Sequence, residues 1–408
     1  MTRLGDVCEK IGSGATPRGG KEAYKDAGIP IIRSQNIHDW VFQPDGLAFL
    51  DDEQAESLSN VEVRSNDVLL NITGDSVARA CIVPSERIPA RVNQHVAIVR
   101  AGKEINPTYL LASLQSKKTT LLSLASSGAT RNALTKRMIE NLDIDLPSRE
   151  MQDSIAQVLD SIQYKITLNN RINDYLLDLL KSSAKNLYLK HEKNIQEKLP
   201  SGWRWVSIGE IADMVCRGIA PKYSLESDEI ILGQTCIRNN LVLTENGRSH
   251  APKKLTDKWL RKYDLLINST GVGSLGRTAQ VWFEPSKLVV DSHVTIVRAT
   301  DKKNALYLGS WAFEHERYIE SLHTGSTGQT ELPRDRVKAI RVVLPDAGTL
   351  DEFNAIAEPS VKMIVANQEE NKRLIEIRDT LLPKLMSGAI DVSKVDLTQL
   401  TNNHLSDC

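Results

Sequence analysis

The sequence is poor in cysteine and contains no long apolar run, and these absences exclude several classes of protein. Its 408 residues include five cysteines, which are scattered and never spaced as Cys-x-x-Cys. Such a pattern argues against a disulfide framework and against a structural zinc site. No segment approaches the ~18 apolar residues that span a bilayer, and the first residues lack the apolar core of a signal peptide. We therefore expect a cytoplasmic protein with no metal site.

Motifs for catalysis are also missing or incomplete. The chain has no Asn-Pro-Pro-Tyr or Asp-Pro-Pro-Tyr tetrapeptide of an adenine methyltransferase, and no carboxylate cluster that would hold metal in a nuclease. The glycine-rich segment 14–21 has the wrong spacing for a phosphate-binding loop. Segment 271–276 matches Gly-x-Gly-x-x-Gly, but the residues after it predict a strand where dinucleotide binding needs a helix. We interpret it as a hairpin loop and expect no enzyme in this chain.

An overall excess of positive charge is absent as well, because the net charge is -1. A DNA-binding protein usually carries many Lys and Arg side chains that contact phosphate. Here the cations form two local clusters, one of Lys253, Lys254, Lys258, Arg261 and Lys262, and one of Arg131, Lys136 and Arg137. Local clusters can bind phosphate while other faces contact protein, so charge alone does not decide the function.

What the chain does contain is an internal repeat with an offset near 198 residues. The matching segments are 66–74 with 263–271, 94–101 with 292–299, 127–130 with 324–327, and 146–147 with 344–345. Because order, spacing and residue character all agree, the sequence predicts two copies of one structural unit.

Each copy has the pattern of a small α+β domain. Short runs that alternate or are rich in β-branched residues predict strands, at 61–63, 67–70, 96–99 and 142–146. Short helices are predicted at 108–114 and, in the second copy, at 307–313. Each copy is therefore predicted to combine short strands with short helices.

A long helix is predicted after each copy, over about 150–188 and 350–387. Apolar residues recur there at spacings near three and four, which is typical of a coiled coil. Asn169 and Asn173 interrupt the first apolar stripe, and Asn367 and Asn371 interrupt the second at the same offset. Since a buried Asn costs stability but fixes register, the sequence favours pairing of the two helices over each helix lying on its own domain.

Together these patterns predict an α+β fold in which two similar domains are separated by two long helices. The two helices are expected to pair with each other as a coiled coil. The predicted boundaries are 1–148 for the first domain, 149–195 for the first helix, 196–346 for the second domain, 347–390 for the second helix, and 391–408 for a tail. Pro359 either kinks the second helix or marks its true start.

Polar and basic side chains recur in the predicted loops of both domains and are suited to base edges and phosphates. Arg can pair with guanine, and Asn or Gln with adenine, in the major groove. The candidates are Arg18, Lys21, Arg33, Gln35, Asn36, Arg79, Arg131 and Asn132 in the first domain, and Lys222, Gln234, Arg238, Asn239, Lys253, Lys254, Arg277, Gln329 and Thr330 in the second. The repeated His95 and His293 are either hydrogen-bonded structural residues or further DNA contacts.

The layout of domain, long helix, domain, long helix resembles the specificity subunits of Type I restriction–modification enzymes. Segment 199–205, Leu-Pro-Ser-Gly-Trp-Arg-Trp, is similar to the opening of a target-recognition domain in that family. Segment 374–388, which contains Arg-Asp-Thr-Leu-Leu-Pro, is similar to the family's typical helix end. The equivalent part of the first helix, 173–187, lacks this run and is the weaker match.

The resemblance implies a DNA-binding specificity subunit without catalytic activity of its own, acting in restriction, DNA methylation and phage defence. Each domain would read one half of a bipartite, asymmetric target. The helices would form an antiparallel coiled coil with a pseudo-two-fold relation, set the spacer and dock two methyltransferase subunits. S-adenosylmethionine, used on a flipped adenine, would be bound by those partners, and ATP and Mg by restriction subunits. Two alternatives stay open: the specificity subunit of a Type II-like methyltransferase–nuclease, and a coiled-coil scaffold that does not bind DNA.

Overall fold

The chain folds into two compact units that are not contiguous in sequence. The computed structural model describes residues 1–126, 132–193, 198–224, 226–251, 257–325, 330–390 and 392, except for the side chains of residues 20 and 21. Unit 1 joins residues 1–167 to the chain from Asn371 onward, and unit 2 is Leu168–Glu370. Each unit therefore contains one α+β domain and a stretch of both long helices.

Unit 1 is built from ten strands and short helices, followed by a long helix. Its elements are β1 (Thr2–Arg3), α1 (Leu4–Val7), β2 (Cys8–Ser13), β3 (Ile29–Ile32), β4 (Ala48–Leu50), α2 (Asp52–Ser57), β5 (Glu62–Val63), β6 (Val68–Asn71), β7 (Ala80–Ile82), β8 (Ala90–Val92), β9 (Val96–Ala101), α3 (Pro107–Ser116), α4 (Lys118–Ser126), α5 (Lys136–Glu140), β10 (Asp143–Ile144) and the start of α6 (Arg149–Lys193). The sheets have the orders β1-β10, β2-β9-β6-β7 and β4-β3-β8-β5.

Unit 2 repeats this plan. After the end of α6 it contains β11 (Arg204–Ser207), β12 (Ala212–Arg217), β13 (Ile230–Leu232), β14 (Ile237–Arg238), β15 (Leu241–Val242), β16 (Arg248–Ser249), β17 (Leu265–Asn268), β18 (Thr278–Gln280), β19 (Leu288–Val290), β20 (Val294–Ala299), α7 (Lys302–Glu314), α8 (Glu316–Ser321), α9 (Arg334–Ala339), β21 (Arg341–Leu344) and most of α10 (Ala347–Met386). Its sheets are β11-β21, β12-β20-β17-β18, β16-β13-β19 and β14-β15.

The central sheets of the two units, β2-β9-β6-β7 in unit 1 and β12-β20-β17-β18 in unit 2, have equivalent strand orders and equivalent registers. Leu69 pairs with Ile98 in unit 1, and Leu266 pairs with Ile296 in unit 2. Side chains alternate between the faces of a strand, and here both faces are buried. One face of the sheet in unit 1 packs with α3 and α6, and the other faces the second sheet. The α+β class predicted for the repeat is confirmed.

The helix that follows the central sheet begins at a matching cap in both units. In unit 1 the side chain of Asn106 accepts from the backbone N–H of Thr108, at 2.8 Å, and Pro107 occupies the first helical position. In unit 2 Asp301 accepts from the N–H of Lys303, at 2.9 Å. Both are preferred N-cap residues, because their oxygens satisfy N–H groups that lack partners within the helix.

The two long helices contact each other within each unit, and they do so in antiparallel order. In unit 1 Arg378 of α10 donates to the side chain of Gln163 in α6, at 3.2 Å. In unit 2 Asn367 Nδ2 donates to Asn173 Oδ1, at 2.8 Å, and Asn169 Nδ2 donates to Glu370 Oε2, at 2.7 Å. Residues later in α6 thus meet residues earlier in α10, as the sequence predicts.

The observed helix ends lie close to the predicted ones. The first helix, predicted over 149–195, is Arg149–Lys193, and the second, predicted over 347–390, is Ala347–Met386. Because the second helix begins at Ala347, Pro359 lies inside it, and the alternative that this proline marks the start is wrong. Among the described residues, no helix combines the length and apolar character needed to cross a membrane.

Candidate nucleic-acid interface

In unit 1 several loops meet at one end of the four-stranded sheet. Asn71, the last residue of β6, is fully buried, and its Nδ2 donates to the carbonyl of Ser34 at 2.9 Å. Thr73 Oγ1 and His95 Nδ1 are 2.7 Å apart, which joins the loop after β6 to the loop before β9. The N–H of Gly74 donates to the carbonyl of Asn132 at 3.1 Å. Segments far apart in sequence therefore form one polar surface.

The same end of the sheet in unit 2 is built in the same way. Asn268, the last residue of β17, is fully buried and donates to the carbonyl of Gln234 at 3.1 Å. Thr270 Oγ1 and His293 Nδ1 are 2.8 Å apart. The N–H of Leu332 donates to the carbonyl of Ser269 at 2.8 Å. The repeat thus preserves the framework that holds the loops.

The predicted contacts Arg33, Gln35 and Asn36 lie on this surface of unit 1, but in different environments. Gln35 is exposed and donates to the carbonyl of Gly46 at 3.0 Å. Arg33 is half-buried, donates to the same carbonyl, and has its guanidinium over the ring of Tyr24.

Asn36 does not face solvent, contrary to the prediction. It is fully buried, and its Nδ2 donates to the carbonyls of Gln43, at 2.9 Å, and Asp45, at 3.2 Å. Its Oδ1 accepts from the N–H of Arg33 at 3.1 Å. A buried amide needs such partners, so Asn36 holds the loop that carries Arg33 and Gln35.

The other candidates of unit 1 lie in loops with more solvent contact. Arg18 and Asn132 are exposed, and Arg79 is half-buried. The predictions for Arg131 and for the side chain of Lys21 lie outside the described residues.

In unit 2 the prediction for Gln234 needs a correction. Its Nε2 donates to the carbonyl of Thr270 and to the hydroxyl of the same residue, the latter at 2.6 Å. Pairing with adenine would require that amide to donate and accept toward the base, but its donor group is engaged within the domain. Gln234 therefore positions the loop that contains Thr270.

Other candidates of unit 2 are accessible. Arg238 and Asn239 are exposed where β14 turns into β15, and Asn239 has a φ of 52°, a left-handed conformation that Asn tolerates. Lys222 is exposed, and Arg277 and Thr330 are half-buried. The predictions for Lys253, Lys254 and Gln329 fall on residues that the structure does not describe.

The basic clusters noted in the sequence are partly engaged. Lys258 Nζ donates to the carbonyls of Arg217, at 2.9 Å, and Gly218, at 3.1 Å. Lys262 is 3.2 Å from the carboxylate of Glu284, and Lys136 is 3.4 Å from that of Glu140. These cations have partners within the chain, so the loop residues are the stronger candidates for DNA contact.

The four candidates for helix pairing are all on the inner faces of the long helices. Asn169 is fully buried, and Asn173 is 6% exposed. Asn367 donates to Asn173, as described above, and Asn371 is 8% exposed in unit 1. Amides in these positions supply directional bonds to an otherwise apolar contact.

Sequence reasoning missed a buried ion pair that occurs once in each unit. Arg100 donates to both oxygens of Asp67, at 2.7 and 2.8 Å. Arg298 donates to both oxygens of Asp264, at 2.8 and 2.7 Å. The hydrogen bonds to the aspartates raise the pKa of both arginines. The repeat could have predicted this ion pair, because the Asp and the Arg both recur within the repeated segments.

The described residues contain no group of three or more His, Cys, Asp or Glu side chains that could hold a metal ion. Among the described residues, Cys8, Cys81, Cys216 and Cys236 are free thiols. Burial raises the pKa of Cys8 to about 12, and burial also raises that of Cys81. Thiols of this kind are poor nucleophiles at neutral pH.

The fold is a duplicated α+β domain in which one loop framework carries different side chains in the two copies. Residues 1–177 match the family model described as "Type I restriction modification DNA specificity domain". Residues 1–177 therefore have the sequence pattern of that domain, and the chain is similar over almost its whole length to Type I restriction enzyme specificity subunits.

Curated relatives and a solved structure agree with this assignment. The MjaIX specificity subunit of a Type I restriction enzyme from Methanocaldococcus jannaschii is 22% identical, over 97% of this chain and 94% of that protein. The MjaVIII specificity subunit from the same organism is 24% identical, over 97% and 94%. The S subunit of a Type I restriction–modification system from M. genitalium has the same fold, with a TM-score of 0.55 and 15% identity over 94% of this chain and 95% of that chain.

Proposed function

We propose that this chain reads a bipartite, asymmetric DNA target, with each α+β domain reading one half. The observation that supports the proposal is that the two units share one loop framework but carry different side chains on it. The loop after β3 presents Arg33 and Gln35, whereas the loop after β13 contains Gln234 and Thr235. A shared scaffold with different contacts is suited to two different half-sites, since base edges are distinguished by donors and acceptors.

The accessible loop residues are the candidates for direct contact in this proposal. They are Arg18, Gln35, Arg79 and Asn132 in unit 1, and Lys222, Arg238, Asn239, Arg277 and Thr330 in unit 2. Cations among them would contact phosphate or guanine, and amides would contact adenine. Such a surface explains how a chain with a net charge of -1 can bind DNA through local groups.

The long helices would set the spacer between the half-sites. At 1.5 Å per residue, the 45 residues of α6 and the 40 residues of α10 correspond to roughly 60–70 Å. That length equals roughly 18–20 base pairs at about 3.4 Å each. Exposed apolar residues on these helices, including Leu168, Tyr175 and Met363, are suited to docking of two methyltransferase subunits, with restriction subunits completing the complex.

The chemistry would belong to those partners. In this proposal the methyltransferase subunits bind S-adenosylmethionine, the restriction subunits bind ATP and Mg, and this chain supplies the sequence specificity without catalysis. Type I methyltransferases need such a subunit because they act on a base that must be selected and flipped out of the duplex.

The spacer assignment is tested by lengthening both helices together. Seven residues of helix-forming sequence are inserted after Thr167 in α6 and seven after Glu370 in α10, which preserves the heptad pattern. The insertion adds about 10 Å, or roughly 3 base pairs. The variant is co-expressed with its methyltransferase partners, and the methylated motif is mapped by sequencing genomic DNA.

We expect both half-sites to be retained and the spacer between them to grow. The control carries the same seven residues after Cys408 and should methylate the original motif. Normal methylation of the original spacer by the doubly lengthened variant would contradict the role of the helices, and absence of any sequence-specific methylation by the wild-type complex would contradict the proposed function.

A further inference from the structure

The histidines that the repeat places before β9 and β20 have equivalent positions but different hydrogen-bond partners. In both units the Nδ1 atom lies next to a threonine hydroxyl, 2.7 Å from Thr73 for His95 and 2.8 Å from Thr270 for His293. The second ring nitrogen, Nε2, is where the two units differ. That difference determines what each histidine can present to a ligand.

In unit 2 a chain of bonds links Gln234 through Thr270 to His293. The carbonyl of Thr270 can only accept, so the group of Gln234 that faces it must be the amide NH₂. The same NH₂ donates to the hydroxyl of Thr270 at 2.6 Å. The hydroxyl keeps its own proton for a further bond, and the arrangement in which it donates this proton to Nδ1 of His293 leaves the ring proton on Nε2.

His293 is exposed to solvent, and its backbone N–H donates to Asp291 Oδ1 at 2.8 Å, which anchors the residue. Among the residues that the structure describes, none bonds to Nε2 of His293. Nε2 of His293 is therefore available to a ligand at the loops at the end of the sheet.

In unit 1 the equivalent nitrogen, Nε2 of His95, has a hydrogen-bond partner. The side chain of Gln94 lies 3.1 Å from Nε2 of His95, and the hydroxyl of Thr16 bonds to the same Gln94 side chain. Unit 2 has Ser292 in place of Gln94, and a serine is too short to reach across the ring. His95 is half-buried and has both nitrogens bonded within its unit, so it holds loops together.

We propose that His293 is a DNA-contacting residue of the second domain, donating from Nε2 to an acceptor atom of the target, and that Thr270 and Gln234 position it. The proposal rests on the proposed function, because it assumes that these loops face DNA. It makes the two units chemically different at one equivalent position. The histidine of unit 2 presents a donor to the target, whereas the histidine of unit 1 has both ring nitrogens bonded within its unit.

The contact is tested in the complex with the methyltransferase subunits, on a synthetic duplex carrying the mapped motif. His293→Phe keeps a planar ring but removes the donor, and we expect about tenfold weaker binding, the usual scale of one lost hydrogen bond. His293→Gln keeps an N–H donor and should lose less. The control, Glu284→Gln, changes a side chain that is 80% exposed and follows the end of β18 away from these loops, and it should change affinity by less than about twofold.

Duplexes with single changes in the second half-site distinguish a base contact from a phosphate contact. For a base contact, His293→Phe abolishes discrimination at one base pair; for a phosphate contact, it weakens binding to all duplexes alike. Both results support the proposal. Equal affinities for wild type and His293→Phe, with the motif unchanged, would overturn it.

The positioning role of Thr270 has a readout that does not depend on DNA. Long-range ¹H–¹⁵N correlation spectra of histidine-labelled protein report which ring nitrogen carries the proton. We expect Nε2–H for His293 in the wild type, a mixture in Thr270→Val, and recovery in Thr270→Ser. A proton on Nδ1 in the wild type would refute the bond chain. A wild-type complex that selects no sequence would instead refute the proposed function, so the two failures are distinguishable.

Discussion

Replacing Asp264 by Asn tests how much the duplicated ion pair stabilises unit 2. The side chain of Asp264 is 1% exposed, and that of Arg298 is 10% exposed. Asp264 Oδ2 also accepts from the backbone N–H of Arg261 at 2.8 Å, and Arg298 donates to the carbonyl of Trp259 at 2.8 Å. Asn preserves the shape of the side chain but removes its charge. The substitution therefore leaves a buried guanidinium without a counter-ion.

The expected cost follows from the burial of the pair. Removing one member of a buried, hydrogen-bonded ion pair destabilises a protein by about 3–5 kcal/mol, because the remaining charge stays desolvated. For a unit of roughly 200 residues, each kcal/mol lowers the unfolding midpoint by about 2–4 °C. We therefore expect a decrease of roughly 6–20 °C in the midpoint of the transition that reports on unit 2.

Differential scanning calorimetry measures this decrease. Two further variants test whether the decrease depends on burial of the ion pair. Asp67→Asn changes the equivalent pair in unit 1 and should lower the midpoint of the transition that reports on unit 1 by a similar amount. Glu284→Gln removes the partner of Lys262 at the surface, where Glu284 is 80% exposed, and should cause no resolvable change. If Asp264→Asn behaves like Glu284→Gln, the reasoning that the buried pair stabilises the sheet is refuted.

Four further predictions concern two loop residues, the paired helices and a thiol. Asn36→Ala should lower the free energy of unfolding by about 1–3 kcal/mol, measured in urea, because buried partners are left without bonds. Arg238→Ala should weaken DNA binding by the complex but leave the unfolding midpoint unchanged, and an equal loss of stability would contradict its assignment to the surface. Replacing Asn173 and Asn367 together by Leu should raise the unfolding midpoint, since a buried amide pair costs stability; a lower midpoint would show that the amides stabilise the contact. Finally, Cys81 should react with a thiol reagent at pH 8 only after denaturation, because burial raises its pKa and blocks access.

Much of the fold could be predicted because its signals are local or repeated. The stripe of apolar residues in 149–193 depends only on helical periodicity, and the observed helix ends within two residues of the predicted boundary. The repeat in turn predicted that both central sheets would have one plan, and they do. The family resemblance drawn from the layout and from segments 199–205 and 374–388 is confirmed by the match to the DNA specificity domain.

The candidate site was harder to predict because residue type does not reveal where a side chain's bonds are made. Asn36 and Gln35 are neighbours with similar amides, yet one is buried with every polar atom bonded and the other is exposed. Likewise, Gln234 was a reasonable candidate for adenine, but its amide donates to Thr270, 36 residues later in the chain.

The sequence by itself determined that the protein contains a duplicated α+β unit joined to long paired helices. The spacing of apolar residues predicts the helices, and the internal repeat predicts the duplication. Only the tertiary structure decided which loop residues face outward and which hold the loops. Those roles depend on hydrogen bonds between segments that are distant in sequence, such as the path from Gln234 through Thr270 to His293. A proton's place on a histidine ring is fixed by such neighbours, and a linear pattern carries no information about them.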